Sequence, residues 1–223
     1  MSITSRLNEL RNELPEGVRL AAVSKLHDVS VIREAYDAGQ RLFGESRVQE
    51  LLPKYESLPK DIEWHFVGHL QTNKVKQIAP FIAMIQSVDS LKLLEELNCE
   101  AEKNNRRISV LLQIHIAREE HKFGFSFDEA EELLSGGLPR LPHLRLCGLM
   151  GMATFTDDWA IVRQEFANLA AFFAKIKTRY FADDPDFKEL SMGMSDDYPL
   201  AIEEGSTLIR VGTKLFGTRN YAN

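Results

Sequence analysis

The sequence predicts an α/β protein, a single (β/α)8 TIM barrel preceded by an N-terminal helix. Eight strand-like runs alternate with helical patterns along the chain. Several of these runs are apolar throughout, as strands of a parallel sheet are when both faces are buried. The 223 residues suffice for eight compact units around one core, and no linker or change of composition divides them. We therefore expect residues 1–223 to form one domain.

The elements follow in order from their periodicity. Apolar residues spaced three and four apart from Ile3 to Leu14 predict a first helix that ends at Pro15. The run "VRLAAVSK" predicts a strand, and "DVSVIREAYDAG" predicts a helix with Asp28 as N-cap and Gly39 as stop. The later strand and helix pairs are "RLFGES" with "RVQELLPKYES" (helical only up to Pro53), "EWHFVG" with "TNKVKQIAP", "AMIQSVD" with "LKLLEELNCEAEKNN", "RISVLLQIHI" with "DEAEELLSG", "LRLCGLMGM" with "DDWAIVRQEFANLAAFFAKIKTRY", "KELSMGM" with "DDYPLAIEEG", and "TLIRVG" with a short helical end.

Composition excludes several classes of protein. The net charge of -6 and the absence of a long basic stripe argue against nucleic acid as the main partner. The two cysteines, Cys99 and Cys147, are too few for a disulfide framework. No apolar run is long enough to span a bilayer, and the first residues lack a signal-peptide core. We expect a cytoplasmic protein without a membrane partner, and a monomer because no exposed apolar stripe is evident.

In a barrel of this kind, function lies on the loops at the carboxyl ends of the strands. Lys25 follows the first apolar run directly. Burial lowers the pKa of a lysine and frees its amine to attack a carbonyl carbon. The alternative is a lysine whose ammonium group extends to solvent beside a structural partner.

The last two strands end in small and hydroxyl-bearing residues. Arg210 and Gly212 alternate in "IRVGT", and Gly212 and Thr213 lie where the last strand turns into a helix. Ser195, in "MGMSDD", lies at an expected helix start, where an ordinary N-cap is the alternative role. Backbone N–H groups at two adjacent helix starts after strands 7 and 8 are the usual phosphate site of this fold.

A lysine amine opposite a phosphate site suggests a phosphorylated aldehyde as ligand. Two candidates fit: a sugar phosphate in a Schiff-base aldolase, or pyridoxal 5'-phosphate. Arg210 favours the second, because it lies two residues before the phosphate glycine, near the expected place of a pyridine nitrogen.

The chain also resembles the YggS/PROSC family of pyridoxal phosphate homeostasis proteins. The similar segments are "AVSK", "AGQRLFGE", "WHFVGHLQTNK", "KFGF", "GLMGMA", "LSMGMSDDYPLAIEEGSTLIRVGT" and "LFG". The resemblance implies a barrel like that of alanine racemase, with the cofactor carried on Lys25 as an internal aldimine. It also implies that Ser195, Gly212 and Thr213 hold the phosphate, with Met194 beside them, and that Arg210 faces the pyridine nitrogen.

One position departs from the family pattern. The family usually has G-E-N after the second strand, whereas this chain has Gly44-Glu45-Ser46. Ser46 is therefore a cofactor-binding candidate with a shorter side chain than asparagine. His65 and His69 lack the spacing and carboxylate companions of a metal site, so core or rim roles are favoured for them. Lys122 and Gly124 are expected on a rim loop after the fifth strand, either solvated or acting as a lid.

The residues favour a carrier of pyridoxal phosphate over a vigorous enzyme. Arginine only donates hydrogen bonds, so Arg210 would leave the ring nitrogen unprotonated and weaken the cofactor as an electron sink. Alanine racemase tolerates such an arginine but, as the resemblance implies, takes a tyrosine base from a second domain, whereas this sequence stops at Asn223. We expect a buffering or delivery role toward PLP-dependent client enzymes. The alternatives are a single-domain amino-acid racemase and, third, a Schiff-base aldolase.

Overall fold

A closed barrel of eight parallel strands forms the centre of the molecule, with strand order β1-β2-β3-β4-β5-β6-β7-β8. The computed structural model describes residues 2–119, 123–137 and 139–217. The strands are β1 Arg19–Val23, β2 Leu42–Glu45, β3 Glu63–Phe66, β4 Met84–Val88, β5 Ile108–Ile114, β6 Leu144–Gly151, β7 Glu189–Ser191 and β8 Leu208–Val211. The predicted barrel is confirmed.

Helices cover the outside of the barrel. They are α1 Ile3–Glu13, α2 Val29–Asp37, α3 Val48–Ser57, α4 Val75–Ile78 after a 3-10 turn at Thr72–Lys74, α5 Leu91–Lys103, α6 Phe127–Glu132 with a π-helical turn at Leu133–Gly137, α7 Trp159–Tyr180, α8 Tyr198–Glu203 and α9 Thr213–Phe216. The predicted N-terminal helix is present as α1, and its residues Ile3, Leu7 and Leu10 are buried. Among the described residues, no helix is both long and apolar enough to cross a membrane.

Two apolar layers hold these elements together. The larger layer lies between the outer face of the barrel and the helices, and includes Phe43, Trp64 and Phe166. The smaller one fills the inside of the barrel, with Ala21, Leu42, Met84, Leu111, Cys147, Met150 and Leu208. Residues of adjacent parallel strands that are paired in register point to the same face, so the pairs Ala21–Arg210 and Met84–His65 place Arg210 and His65 inside.

Two local predictions differ from the structure. The third helix does not end at Pro53 but continues to Ser57. Proline removes only one N–H from the helix, and the carbonyl that loses its donor belongs to the exposed Gln49, so water can satisfy it. Asp28 occupies the N-cap of α2, but its side chain makes no capping hydrogen bond. The stop at Gly39 is confirmed, because this residue follows the helix with a φ of +91°, which favours glycine.

Candidate functional site

Lys25 lies at the carboxyl end of β1, in the turn that leads to α2, and is half-buried. β1 pairs with β8 on one side and with β2 on the other. A Cβ atom added to Gly212 would lie 3.0 Å from the carbonyl oxygen of Val23, two residues before Lys25. The turn that contains Lys25 and the start of α9 are therefore neighbours at one rim of the barrel mouth.

Arg210 lies inside the barrel and is only 4% exposed. Its Nη1 donates a hydrogen bond to Ser191 Oγ at 2.6 Å, and its Nη2 donates to the carbonyl oxygen of Gly151 at 2.9 Å. Burial lowers the pKa of Arg210 to about 10, so the guanidinium remains charged at neutral pH. Among the described residues, no carboxylate lies within ion-pair distance of it. A buried cation bonded only to neutral acceptors is suited to a ligand that brings a further acceptor.

A chain of hydrogen bonds continues from Arg210 through the barrel interior. Ser191 Oγ donates to Gln86 Oε1 at 2.6 Å, and Gln86 Nε2 lies 2.8 Å from His65 Nδ1. His65 Nε2 lies 3.0 Å from Glu63 Oε1. We call Arg210, Ser191, Gln86, His65 and Glu63 the interior chain. The interior chain could not be recognised from the sequence, since its members come from four strands and are polar residues in otherwise apolar runs.

The interior chain has a direction. Burial lowers the pKa of His65, so the imidazole is neutral, accepts from Gln86 at Nδ1 and donates from Nε2 to Glu63. The hydrogen bond from His65, together with Arg19, lowers the pKa of Glu63 to about 2. Every donor therefore faces the next acceptor, from the guanidinium of Arg210 to the carboxylate of Glu63. The expectation that His65 has a core role is confirmed.

The predicted phosphate residues lie together, with one correction. Ser195 does not begin a helix, because α8 starts at Tyr198 and its N-cap is Asp197. Instead, Ser195 Oγ accepts from the backbone N–H groups of Gly212 at 3.3 Å and Lys214 at 3.4 Å. The hydroxyl thus occupies the start of α9, where two N–H groups converge on one oxygen position.

Two further candidate cofactor-binding residues lie beside the start of α9. Thr213 is the first residue of α9 and is exposed. Met194 is 38% exposed, and its backbone N–H donates to Asp197 Oδ1, which holds the loop before α8 in place. The donor set of Gly212, Thr213, Ser195 and Lys214 fits a phosphate, because each group can donate to an oxygen at this rim.

Ser46 lies at the end of β2 beside a cavity of about 210 Å³, which His69 and Lys74 also line. A larger cavity of about 470 Å³ opens at the opposite, amino-terminal end of β1 and includes Arg19. Neither cavity is lined by Lys25, Arg210 or Thr213. Ser46 is thus placed at the mouth but toward the β2–β3 side.

The remaining polar residues of the rim have structural partners. His69 Nδ1 lies 2.7 Å from Asp89 Oδ2, and its ring stacks on Phe123 with centroids 3.8 Å apart. Each histidine has one carboxylate neighbour that the sequence did not reveal, Glu63 for His65 and Asp89 for His69. Among the described residues, no group of three or more metal-ligating side chains occurs. Lys122 lies outside the described residues, and Gly124 packs against the backbone of His115.

A family model described as the alanine racemase N-terminal domain matches residues 1–220. A pyridoxal phosphate homeostasis protein of Aquifex aeolicus is 41% identical over 204 residues, which cover 91% of this chain and 88% of the relative. One from Escherichia coli K12 is 39% identical over 212 residues, covering 93% and 88%. The chain belongs to the family of pyridoxal phosphate homeostasis proteins. The resemblance noted in its segments is thereby confirmed.

Solved structures agree with this family. PipY of Synechococcus elongatus, in a structure with PLP bound, has a TM-score of 0.86 and 40% identity, covering 97% of this chain and all of that one. An alanine racemase of Clostridium difficile has a TM-score of 0.76 at 16% identity, covering 99% of this chain and 57% of that one. The second likeness shows the fold alone: this family member shares the barrel of alanine racemase.

Proposed function

We propose that this protein holds pyridoxal 5'-phosphate at the barrel mouth, covalently attached to Lys25, and serves in the homeostasis of the cofactor by buffering or delivering it. The observation that carries the proposal is Arg210, a buried guanidinium with no carboxylate within ion-pair distance among the described residues, at the same mouth as a half-buried lysine. Family membership and the PLP-bound PipY structure support it.

Each group at the mouth has a part in this proposal. Pyridoxal phosphate supplies an aldehyde that condenses with a primary amine. Lys25 provides that amine, with loss of one water and without oxidant or reductant. Ser195, Gly212 and Thr213 would donate to the phosphate oxygens, with Met194 beside them and Ser46 on the β2–β3 side of the mouth. Arg210 donates to the ring nitrogen, which accepts only when it is unprotonated.

We further infer that retention, rather than turnover, is the main role. Arg210 keeps its proton at neutral pH, because even its lowered pKa is about 10. A ring nitrogen that faces a permanent donor gains no proton, so the Cα–H bond of a bound amino acid is weakly activated. Slow racemisation is the competing activity, because the fold is shared with alanine racemase.

We also propose that the protein acts as a single domain and a monomer in the cytoplasm, with PLP-dependent enzymes as clients. The net charge of -6 supports a role without nucleic acid. One barrel accounts for the described residues from 2 to 217, which supports the single domain.

The test is spectroscopic and chemical. The purified protein should show a visible absorption band that borohydride removes, and peptide mass spectrometry should then find a pyridoxyl group on Lys25. The variant Lys25→Ala should lose the label and keep its circular dichroism. A stoichiometric label on another lysine, such as Lys74, would contradict the assignment, and wild-type protein that takes up no cofactor would contradict the function.

A further inference from the structure

Two side chains of α3 bind the peptide groups on both sides of Lys25. Lys54 Nζ donates to the carbonyl oxygen of Ser24 at 2.8 Å, and Glu50 Oε2 accepts from the N–H of Leu26 at 2.7 Å. The first group belongs to the peptide before Lys25 and the second to the peptide after it. The backbone on either side of this lysine is therefore fixed from outside its own turn.

Glu50 and Lys54, the α3 pair, are themselves held in place. They are four residues apart on one helix face, with Glu50 Oε2 and Lys54 Nζ separated by 3.7 Å. Lys54 is 6% exposed and donates to Glu45 Oε1 at 2.7 Å, and Ser24 Oγ donates to the same oxygen at 2.6 Å. Glu45 comes from the end of β2, so three elements meet behind the Lys25 turn.

Stability alone does not account for this buried cluster. Glu45 is fully buried, burial raises its pKa, and its Oε2 has no hydrogen-bond partner. A buried ion pair with an unsatisfied oxygen is often no more stabilising than apolar residues of the same size. In some proteins such buried charged groups are retained because they fix one geometry. Here the geometry that they fix is that of Lys25, the residue after Ser24.

The turn itself has an unusual backbone. Leu26 has a φ of +64°, in the left-handed region that residues with a side chain rarely adopt. Its side chain is 37% exposed, so burial does not explain the conformation. Backbone strain of this kind persists where surrounding contacts hold it, and it occurs preferentially at functional sites. Here the N–H of Leu26 is held by the hydrogen bond that it donates to Glu50.

We propose that Glu50 and Lys54 are positioning residues for the amine of Lys25, and that they set how fast and how completely it condenses with an aldehyde at the mouth. The inference rests on the proposed function. In the step concerned, Lys25 Nζ forms a bond to the aldehyde carbon, the aldehyde oxygen leaves as one water, and no redox partner is needed. Neither side chain touches the cofactor in this proposal.

The test compares two ligands that differ only at the reacting carbon. Pyridoxine 5'-phosphate has an alcohol in place of the aldehyde, so it binds the phosphate and ring donors but cannot condense with an amine. The variants are Glu50→Leu and the double change Glu45→Gln with Lys54→Met, which removes both buried charges together. The readouts are the rate of borohydride-trapped label on Lys25 with pyridoxal phosphate and the calorimetric affinity for pyridoxine phosphate.

We expect both variants to slow labelling about tenfold or more, since small displacements of a reacting group cost factors of this size. Affinity for pyridoxine phosphate should stay within about twofold, because the phosphate and ring donors are untouched. Glu50→Gln keeps an acceptor for Leu26 and should restore most of the rate. The matched control is Arg106→Met, which removes donors to the carbonyls of Ala79 and Ile82 at the opposite end of the barrel.

Each outcome decides between the two proposals. Equal losses for both ligands, or an unchanged labelling rate in folded variants, would overturn the positioning role but not the proposed function. Wild-type protein that binds neither ligand would overturn the proposed function, and the positioning role with it. Glu50 is only partly buried, so Glu50→Leu keeps the test decisive if the double variant does not fold.

Discussion

Replacing Gln86 with leucine should destabilise the protein by about 2–6 kcal/mol. Gln86 is fully buried, accepts from Ser191 Oγ and donates to His65 Nδ1. Leucine fills a similar volume but leaves the hydroxyl hydrogen of Ser191 without an acceptor and His65 Nδ1 without a donor, and both residues are fully buried. Each buried polar group left without a partner costs about 1–3 kcal/mol, which gives the expected range for two. The free energy of unfolding of a typical domain is about 5–15 kcal/mol, so a change of this size is a large part of the total.

The assay is urea unfolding at neutral pH, followed by circular dichroism. Gln113→Leu is the matched control, since Gln113 is also buried and donates to one carbonyl oxygen, that of Phe123. Gln113→Leu should lower the free energy of unfolding by about half as much as Gln86→Leu. Combining Gln86→Leu with Ser191→Ala should cost less than the sum of the two changes, because one unpaired hydroxyl disappears. A penalty below about 1 kcal/mol for Gln86→Leu, or strict additivity, would refute the interior chain as a coupled unit.

Three more outcomes follow from the site. The free energy of unfolding should fall as the pH drops below about 6.5, because burial holds the pKa of His65 below that ordinary value and the unfolded chain then binds more protons. His65→Phe should flatten this part of a urea-midpoint profile; an identical slope would exclude the histidine as its source. Thr213→Val should weaken the binding of pyridoxal phosphate by about 1.5–3 kcal/mol in a titration and leave the binding of unphosphorylated pyridoxal unchanged. Equal losses of affinity for the two ligands would place the phosphate elsewhere. L-Alanine in heavy water should show at most slow α-proton exchange and negligible D-alanine by NMR, and turnover of about 1–1000 per second would establish a racemase instead.

The order of strands and helices could be predicted because it follows from local periodicity. Each apolar run and each amphipathic stretch has its own spacing, and eight such pairs allow few architectures. The end of α3 could not be predicted, since the burial of Lys54 and Leu51 against the barrel extends the helix beyond Pro53. Likewise, the role of Ser195 depends on the start of α9, which lies 17 residues away in sequence.

The candidate site divides in the same way. The position of Lys25, Arg210, Gly212 and Thr213 at the barrel mouth could be predicted from sequence alone, because a barrel brings the ends of its strands to one mouth and these residues lie at such ends.

Two features depended on the tertiary structure: the interior chain that holds Arg210, and the α3 pair that holds the turn around Lys25. Gln86 and Ser191 are 105 residues apart, and Lys54 reaches Ser24 across 30. Hydrogen bonds act over about 3 Å and require a defined direction, so only closure of the barrel decides which buried polar groups become partners.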